Sequence, residues 1–161
     1  MTRPPKAKQR VLETAQQLVS ERGTGALTFD ALSEASGVTR GGITYHFPTK
    51  KQLLKALVEH DMQQWAETEQ SMAPENMPES TAQLIASIRA STTKTPDYRR
   101  FVSGMIGAAM LEPDLLDGVR AFFAERFEDV EWTETELRQM MLRLAADGLF
   151  WMETFNCFQM P

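Results

Sequence analysis

Between Thr39 and Lys51 the chain reads TRGGITYHFPTKK, a run crowded with hydrogen-bond donors and positive charge. Thr39, Arg40, Thr44, Tyr45, His46, Lys50 and Lys51 can all donate. Such a set suits the grip of an anion better than the making or breaking of bonds. The signatures of catalysis are missing from the rest of the sequence, which has no G-x-S-x-G, no G-x-x-x-x-G-K-S/T, no H-E-x-x-H and no dinucleotide fingerprint. His46 and His60 lie fourteen residues apart, without the i, i+4 spacing of a helical zinc site. Cys157 is the single cysteine, which excludes an intramolecular disulfide and a thiolate-built structural zinc site. No catalytic residue, no metal and no cofactor is therefore expected.

Two features of the run oppose the local rules of helix formation. Gly41 and Gly42 fall in the first turn of a short helix, where each glycine costs roughly 1 kcal/mol against alanine. Glycine kept at such a cost usually lets something approach the backbone closely. Lys50 and Lys51 open the next helix, at the end where the dipole disfavours positive charge. A bound phosphate reverses that sign, because backbone N–H groups, dipole and two ammonium groups then face one anion. Arg40 is the only long side chain at the start of the glycine-bearing helix, and arginine can read guanine O6 and N7 bidentately.

The elements that must position these groups can be read from periodicity and punctuation. Val11, Leu12, Ala15, Leu18 and Val19 recur on one helical face, and Gly23-Thr24-Gly25 stops that helix. Thr28 is an N-cap with Leu27 and Leu32 at staple spacing, and Gly37 suits the left-handed position that closes the second helix. Thr39 caps a third, with Val38 and Ile43 repeating the staple, and Pro48 ends it by disfavouring helical geometry at Phe47. Thr49 and Gln52 form a capping-box pattern that opens a fourth helix. Its stripe is Leu53, Leu54, Leu57, Val58, Met62, Trp65 and Met72, and from residue 50 to 72 it would run about 35 Å. Two short helices about a tight turn, with a helix in front, make a helix-turn-helix.

Beyond a linker at Ala73–Glu79, marked by Pro74 and Pro78, the helical period continues. Leu84, Ile85 and Ile88 mark one helix, and Thr95-Pro96 opens another that carries Tyr98, Phe101, Val102, Met105, Ile106 and Ala109. Pro113 begins a third with Leu115, Leu116, Val119, Phe122, Phe123 and Phe127. Thr133 with Glu136 caps the last, with Met141, Leu144, Leu149, Trp151, Met152 and Phe155 as its stripe. No segment alternates with period two between hairpin turns. The expected fold is all-α with about eight helices.

The charge of −5 hides a division. Residues 1–60 hold nine Lys/Arg against five Asp/Glu, and residues 61–161 hold eight against seventeen. A basic head on an acidic body is the asymmetry of a reader of polyanions. The stretch GVTRGGITYHFPTKKQLL, with LTFDALSEAS before it, resembles the DNA-binding head of the TetR (tetracycline-repressor-like) family across residues 8–58. The resemblance implies a three-helix DNA-binding head, a variable helical ligand-binding body and a homodimer. It implies phosphate contacts at Thr28, Tyr45, His46 and Lys50, contacts to base edges at Thr39, Arg40, Gly41 and Gly42, and apolar packing at Ile43 and Phe47. Lys51 joins the DNA-facing set through its charge, and Thr44 through its position. Thr44 stands where the family often has an aromatic, so a contact usually made by tyrosine is shortened or lost. The chain ends soon after Phe158, where many members continue into one more helix of the dimer interface.

The expected division is a helix-turn-helix DNA-binding domain at residues 1–50 and a helical ligand-binding and dimerisation domain at residues 51–161. The second part holds nine of the ten methionines, all three tryptophans and seven of the nine phenylalanines. Most of these should be core, but Met-rich aromatic surroundings also suit deformable sites for apolar ligands. Trp65, Phe101, Met105, Met141, Trp151 and Met152 are the candidate residues around a small hydrophobic effector. No run of apolar residues is long enough to cross a membrane, and MTRPPKAKQR lacks the apolar stretch of a secretory signal. The expected protein is a cytoplasmic, homodimeric repressor that binds double-stranded operator DNA and is released by the effector. A helical protein-interaction adaptor that binds no DNA is the alternative. Replacing Lys50 with alanine should weaken binding to all duplexes alike and lower the salt slope by about one unit for each phosphate the side chain had neutralised. Affinity measured against salt checks this, and an unchanged slope removes Lys50 from the phosphate set.

Overall fold

The computed structural model describes residues 5–158, so Met1–Pro4, at the start of the expected non-signal segment, lie outside the described residues. Among the described residues the chain forms eight α-helices and no strand. They are α1 (Pro5–Arg22), α2 (Phe29–Ser36), α3 (Arg40–His46), α4 (Lys50–Ser71), α5 (Glu79–Thr92), α6 (Pro96–Leu111), α7 (Asp117–Phe127) and α8 (Glu134–Thr154). Short 3-10 turns occupy Thr24–Ala26 and Pro113–Leu116. Among the described residues no helix is long and apolar enough to cross a membrane.

The chain divides into two compact units, one holding residues up to Asp61 with Asp97–Arg120, the other Met62–Pro96 with the residues from Ala121 onward. In the first unit α1 buries Val11, Leu12, Ala15, Leu18 and Val19, the five positions that periodicity selects. Leu32, Ile43 and Phe47 from the two short helices join Leu53, Leu54 and Leu57 of α4 in the same core. Phe101, Met105, Ala109 and Leu115 complete it. At Gly104 of α6 an added Cβ would lie 3.1 Å from Val19 Cγ1, so glycine lets α6 approach α1 closely.

This grouping differs from the expected division at residue 50. The first half of α4 and most of α6 pack with the head because they supply the apolar side chains that close its core. Small domains bury a smaller fraction of their surface, so these side chains enlarge the interior that the first three helices share.

In the second unit α5 packs on α8, burying Ala82, Leu84, Ala86 and Ala90 against Ala146 and Phe150. The buried Ser91 donates to Asp147 Oδ1 at 2.8 Å. The nearly buried Glu69 receives two hydrogen bonds from Arg126, at 2.8 and 3.1 Å, and Arg143 Nη1 lies 3.7 Å from the same carboxylate. The bidentate pair is strong because both groups are charged and their geometries match. Burial and the nearby positive charge of Arg126 lower the pKa of Arg143.

Two expected stripes are corrected. Pro113 opens a 3-10 turn rather than a long helix, with Leu115 N donating to Glu112 O at 3.0 Å, and α7 begins only at Asp117. Leu115 is buried, whereas α7 buries none of its residues. On α8 the contact is made by Ala146 and Phe150, and Met141, Leu144, Met152 and Phe155 stand exposed. Small alanines allow α5 to approach closely on that side, leaving the larger side chains on the other.

Truncating Leu57, fully buried on α4, to alanine should cost about 2–5 kcal/mol through reduced burial and the cavity left behind. Urea titration followed by circular dichroism checks this, with a lowered midpoint expected.

Candidate nucleic-acid interface

A helix as short as α3 needs external help at both ends, because the first turn is costly to nucleate. Its start is capped by Thr39, whose Oγ1 accepts from Gly42 N at 3.2 Å. Ahead of it the turn is pinned from two sides. Ser33 Oγ donates to Val38 O at 2.8 Å, and Val38 N donates to the buried Ser36 Oγ at 3.2 Å. Gly37 takes a left-handed φ of 67°, a conformation that glycine adopts at little cost. At the far end Phe47 leaves helical geometry, at φ −134° and ψ 81°, and buries its ring.

These anchors turn Ile43 inward, fully buried, and leave Tyr45 outward, 77% exposed. Arg40 and Gly41 are exposed on α3, while Thr44 is half-buried and its Oγ1 donates to Gly41 O at 3.3 Å. A Cβ added at Gly41 would meet nothing within 4 Å. The glycine therefore serves no packing inside the protein and leaves the helix surface flat. Gly42 is buried, and its N–H is used by the Thr39 cap. Of the two glycines, Gly41 is the one that keeps the outer surface open.

Arg40 Nη1 pairs with Asp30 Oδ1 of α2, and both side chains are well exposed. Exposed pairs of this kind are weak and screened by salt, so the guanidinium can leave for another acceptor. Thr28 Oγ1 accepts the N–H of Ala31 at 3.1 Å. A hydroxyl that accepts in a cap still has its own proton to donate, and Thr39 has the same capacity. His46 is half-buried, its ring 5.2 Å from that of Tyr45 in edge contact, and its Nε2 has no hydrogen-bond partner among the described residues.

The capping box at the start of α4 forms reciprocally. Gln52 N donates to Thr49 Oγ1 at 3.2 Å and Thr49 N to Gln52 Oε1 at 3.1 Å. The two lysines that follow have different partners within the chain. Lys50 Nζ donates to Thr24 O at 2.7 Å. Lys51 Nζ turns to Asp114 and Glu112, at 2.9 and 3.2 Å, and Lys55 Nζ lies 3.0 Å from Asp114. Hydrogen bonds from Lys51, then Lys55, hold the Asp114 carboxyl below the ordinary carboxylate range, and Asp114 and Glu112 in turn raise the Lys51 ammonium. Lys55, Glu112 and Asp114 were missed from the sequence, because the acids lie more than fifty residues from the lysines and no local pattern joins them.

The six residues expected around an effector are divided between the two units. Phe101 and Met105 are buried in the core of the first, Phe101 only 2% exposed. In the second, Trp65 meets Phe150 edge-on at 6.4 Å and lies under Lys94 Nζ, 4.1 Å from the ring centre. Trp151 stacks on Phe155 at 5.9 Å. Met141 and Met152 stand exposed, Met141 by 64%. Among the described residues no group of histidine, cysteine or carboxylate side chains could hold a metal ion.

Comparison with known proteins bears on both regions. Residues 11–57 match the family described as bacterial regulatory proteins, tetR family, and residues 80–161 match the tetracyclin repressor-like C-terminal domain. The nucleoid occlusion factor SlmA of Glaesserella parasuis serovar 5 (strain SH0165) is 32% identical over 134 residues, 82% of this chain and 64% of that protein. The HTH-type transcriptional repressor AcnR of Corynebacterium efficiens is 38% identical over 66 residues, 41% of this chain and 35% of that one. The chain thus spans less than two thirds of the length of these curated relatives. Among solved structures, a putative transcriptional regulator from Saccharomonospora viridis in complex with choline has a TM-score of 0.72 at 16% identity, covering 92% of this chain and 85% of that one. A putative TetR-family regulator from Rhodococcus sp. has the same TM-score at 14% identity, covering 97% and 91%. At such identities the likeness is one of fold.

Replacing Gly41 with leucine should leave the thermal midpoint unchanged or higher, since the side chain meets open space and leucine is the better helix former. The same variant should lose duplex binding. Paired thermal melts and anisotropy titrations check this, and wild-type affinity in a folded variant would exclude close approach at this position.

Proposed function

Because the chain belongs to the tetR family of bacterial regulatory proteins, we propose that it is a DNA-binding transcriptional repressor. The observation that carries this reading is the two-sidedness of α3, with Ile43 and Phe47 buried behind Arg40, Gly41 and Tyr45 exposed. In this reading α3 enters the major groove, Arg40 leaves Asp30 for a guanine, and Thr39, Gly41, Gly42 and Thr44 shape the approach to base edges. Thr28, Tyr45, His46 and Lys50 hold phosphates, which set orientation and affinity without selecting sequence. Residues 1–50 read DNA, and residues 51–161 serve ligand binding and dimerisation.

A single head reads only a few base pairs, so the protein binds a palindromic operator as a homodimer, with half-sites about 34–36 Å apart or a multiple of that. The exposed apolar side chains of α8, from Leu137 through Met141 and Met152 to Phe155, supply a self-complementary surface. A small hydrophobic effector is the releasing signal, with Trp65, Trp151 and Met152 as its first candidate contacts in the second unit. The effector acts through α4, one continuous helix whose early residues belong to the head's core and whose later residues carry Trp65. Typical coupling of this kind lowers operator affinity about 5–150-fold, and operator must weaken effector binding by the same factor. Repression is occupancy of DNA in the cytoplasm, with no enzymatic step.

A second reading, nucleoid occlusion, is favoured by the match to SlmA over 134 residues. Mapping bound sites along the genome separates the two, with a few promoter-adjacent sites expected of a repressor and dispersed sites of an occlusion factor. Selection of bound sequences from a random duplex pool tests the main reading. The wild type should enrich a palindrome, and Arg40→Ala should relax one position per half-site at a cost of about 1–3 kcal/mol. A pool that stays random would leave the helical adaptor as the better reading.

A further inference from the structure

A nearly buried charge cluster in the second unit gathers two arginines about one carboxylate. The side chains of Glu69 on α4 and Arg143 on α8 are only 11% and 15% exposed. Arg126 of α7 takes both oxygens of Glu69, Nη2 donating to Oε1 at 2.8 Å and Nη1 to Oε2 at 3.1 Å. Arg143 Nη1 is left 3.7 Å from Oε1, beyond hydrogen-bond reach, and its guanidinium makes no hydrogen bond among the described residues. Asp147 stands one turn further along α8, but its Oδ1 accepts from Ser91 Oγ at 2.8 Å. The Asp147 charge helps to balance the cluster without answering the N–H groups of Arg143. A guanidinium carries five N–H donors in a fixed fork. Enclosing them without acceptors forfeits hydration and gains no bond in return. A second planar oxyanion would meet that fork with two parallel hydrogen bonds.

The same two helices carry aromatic rings beyond the charges. Trp65 lies one turn before Glu69 on α4, and Phe150 lies two turns after Arg143 on α8. Their rings meet edge-on at 6.4 Å. At 1.5 Å per residue the aromatic pair stands about 6–10 Å along the helices from the charged groups. Resting on the reading of an effector-released regulator above, we propose that Arg143 binds the carboxylate of an amphipathic effector whose apolar body runs toward Trp65 and Phe150. The effector is then an organic acid with one charged end rather than a uniformly hydrophobic molecule. Glu69 keeps its pair with Arg126, so binding breaks no ion pair of the free protein.

Decanoate, decan-1-ol and decylammonium share one chain length and differ in the head, so they separate charge from apolar burial. Titrated against the whole chain by calorimetry, decanoate should bind about tenfold more tightly than the other two, as a charge-assisted hydrogen bond allows. Arg143→Gln should abolish that preference and leave the affinity for decan-1-ol unchanged. Arg143→Lys should restore part of it, since the charge returns without the fork. Both substitutions spare the Glu69–Arg126 pair, so the thermal midpoint of the free protein should not fall. A preference for decanoate that persists in Arg143→Gln would overturn the proposal, as would equal binding of decanoate and decan-1-ol to the wild type. A lowered midpoint with the preference intact would make Arg143 purely structural. Should Arg143→Gln fail to fold, Arg143→Met, which keeps the apolar stem, is held to the same outcomes. Failure of all three compounds to bind would sink the effector reading and this inference together. Preferential binding of decanoate that leaves operator affinity unchanged would sink the releasing role alone and leave the site standing.

Discussion

A helix of seven residues gains too few internal hydrogen bonds to repay the ordering of its first turn, so α3 persists only as far as its surroundings hold it. The holding is done by Val38, Ile43 and Phe47 behind it, all buried, and by the hydroxyls of Ser33, Ser36 and Thr39 at its entry. Once those groups are committed inward, helical geometry leaves no freedom in which residues face out. Arg40, Gly41 and Tyr45 are exposed as a consequence. The exposed face is thus a by-product of the core, and a change in the core reaches it through the orientation of α3.

That dependence extends to α4, which contributes Leu53, Leu54 and Leu57 to the same interior. Its first turn carries Lys50 and Lys51 and shares that interior with α3. The polar groups around it serve more than one partner. Thr28 and Thr39 accept backbone N–H groups as caps and keep a proton for an outside acceptor. Lys50 is engaged with a carbonyl and Lys51 with two carboxylates, so neither ammonium is idle in the absence of DNA. The net acidity of the chain is compatible with a polyanion partner because charge acts locally over about a Debye length, and the first sixty residues are net positive.

The second unit follows a different logic. Alanines and Phe150 bring α5 and α8 together, while Glu69 is clasped by Arg126 with Arg143 close by. Removing one partner from such a nearly buried pair leaves a charge without compensation. The rings of Phe122, Phe123, Phe127 and Trp132 contact one another along α7 and beyond, with Phe123 and Trp132 exposed. Exposed apolar side chains in such number are the ones a second chain or a ligand would cover.

The helical order of the first sixty residues, the caps at Thr28, Thr39 and Thr49, the left-handed Gly37 and the inward positions of α1 are legible in the residues alone. Each of these is a local matter of spacing or of one residue's backbone preference, readable within a turn or two. So is the donor-rich run from Thr39 to Lys51. Which glycine is open, where each lysine points, and that Met141 and Met152 face outward while Phe101 and Met105 fill a core emerge once the helices pack. An apolar stripe says that a helix has something to bury, but not which neighbour comes close enough to bury it. On α8 Ala146 and Phe150 face the alanines of α5, and Met141, Leu144 and Met152 stay outside. The pairing of Lys51 with Glu112 and Asp114 was equally invisible, because it joins groups that folding brings together from distant parts of the chain.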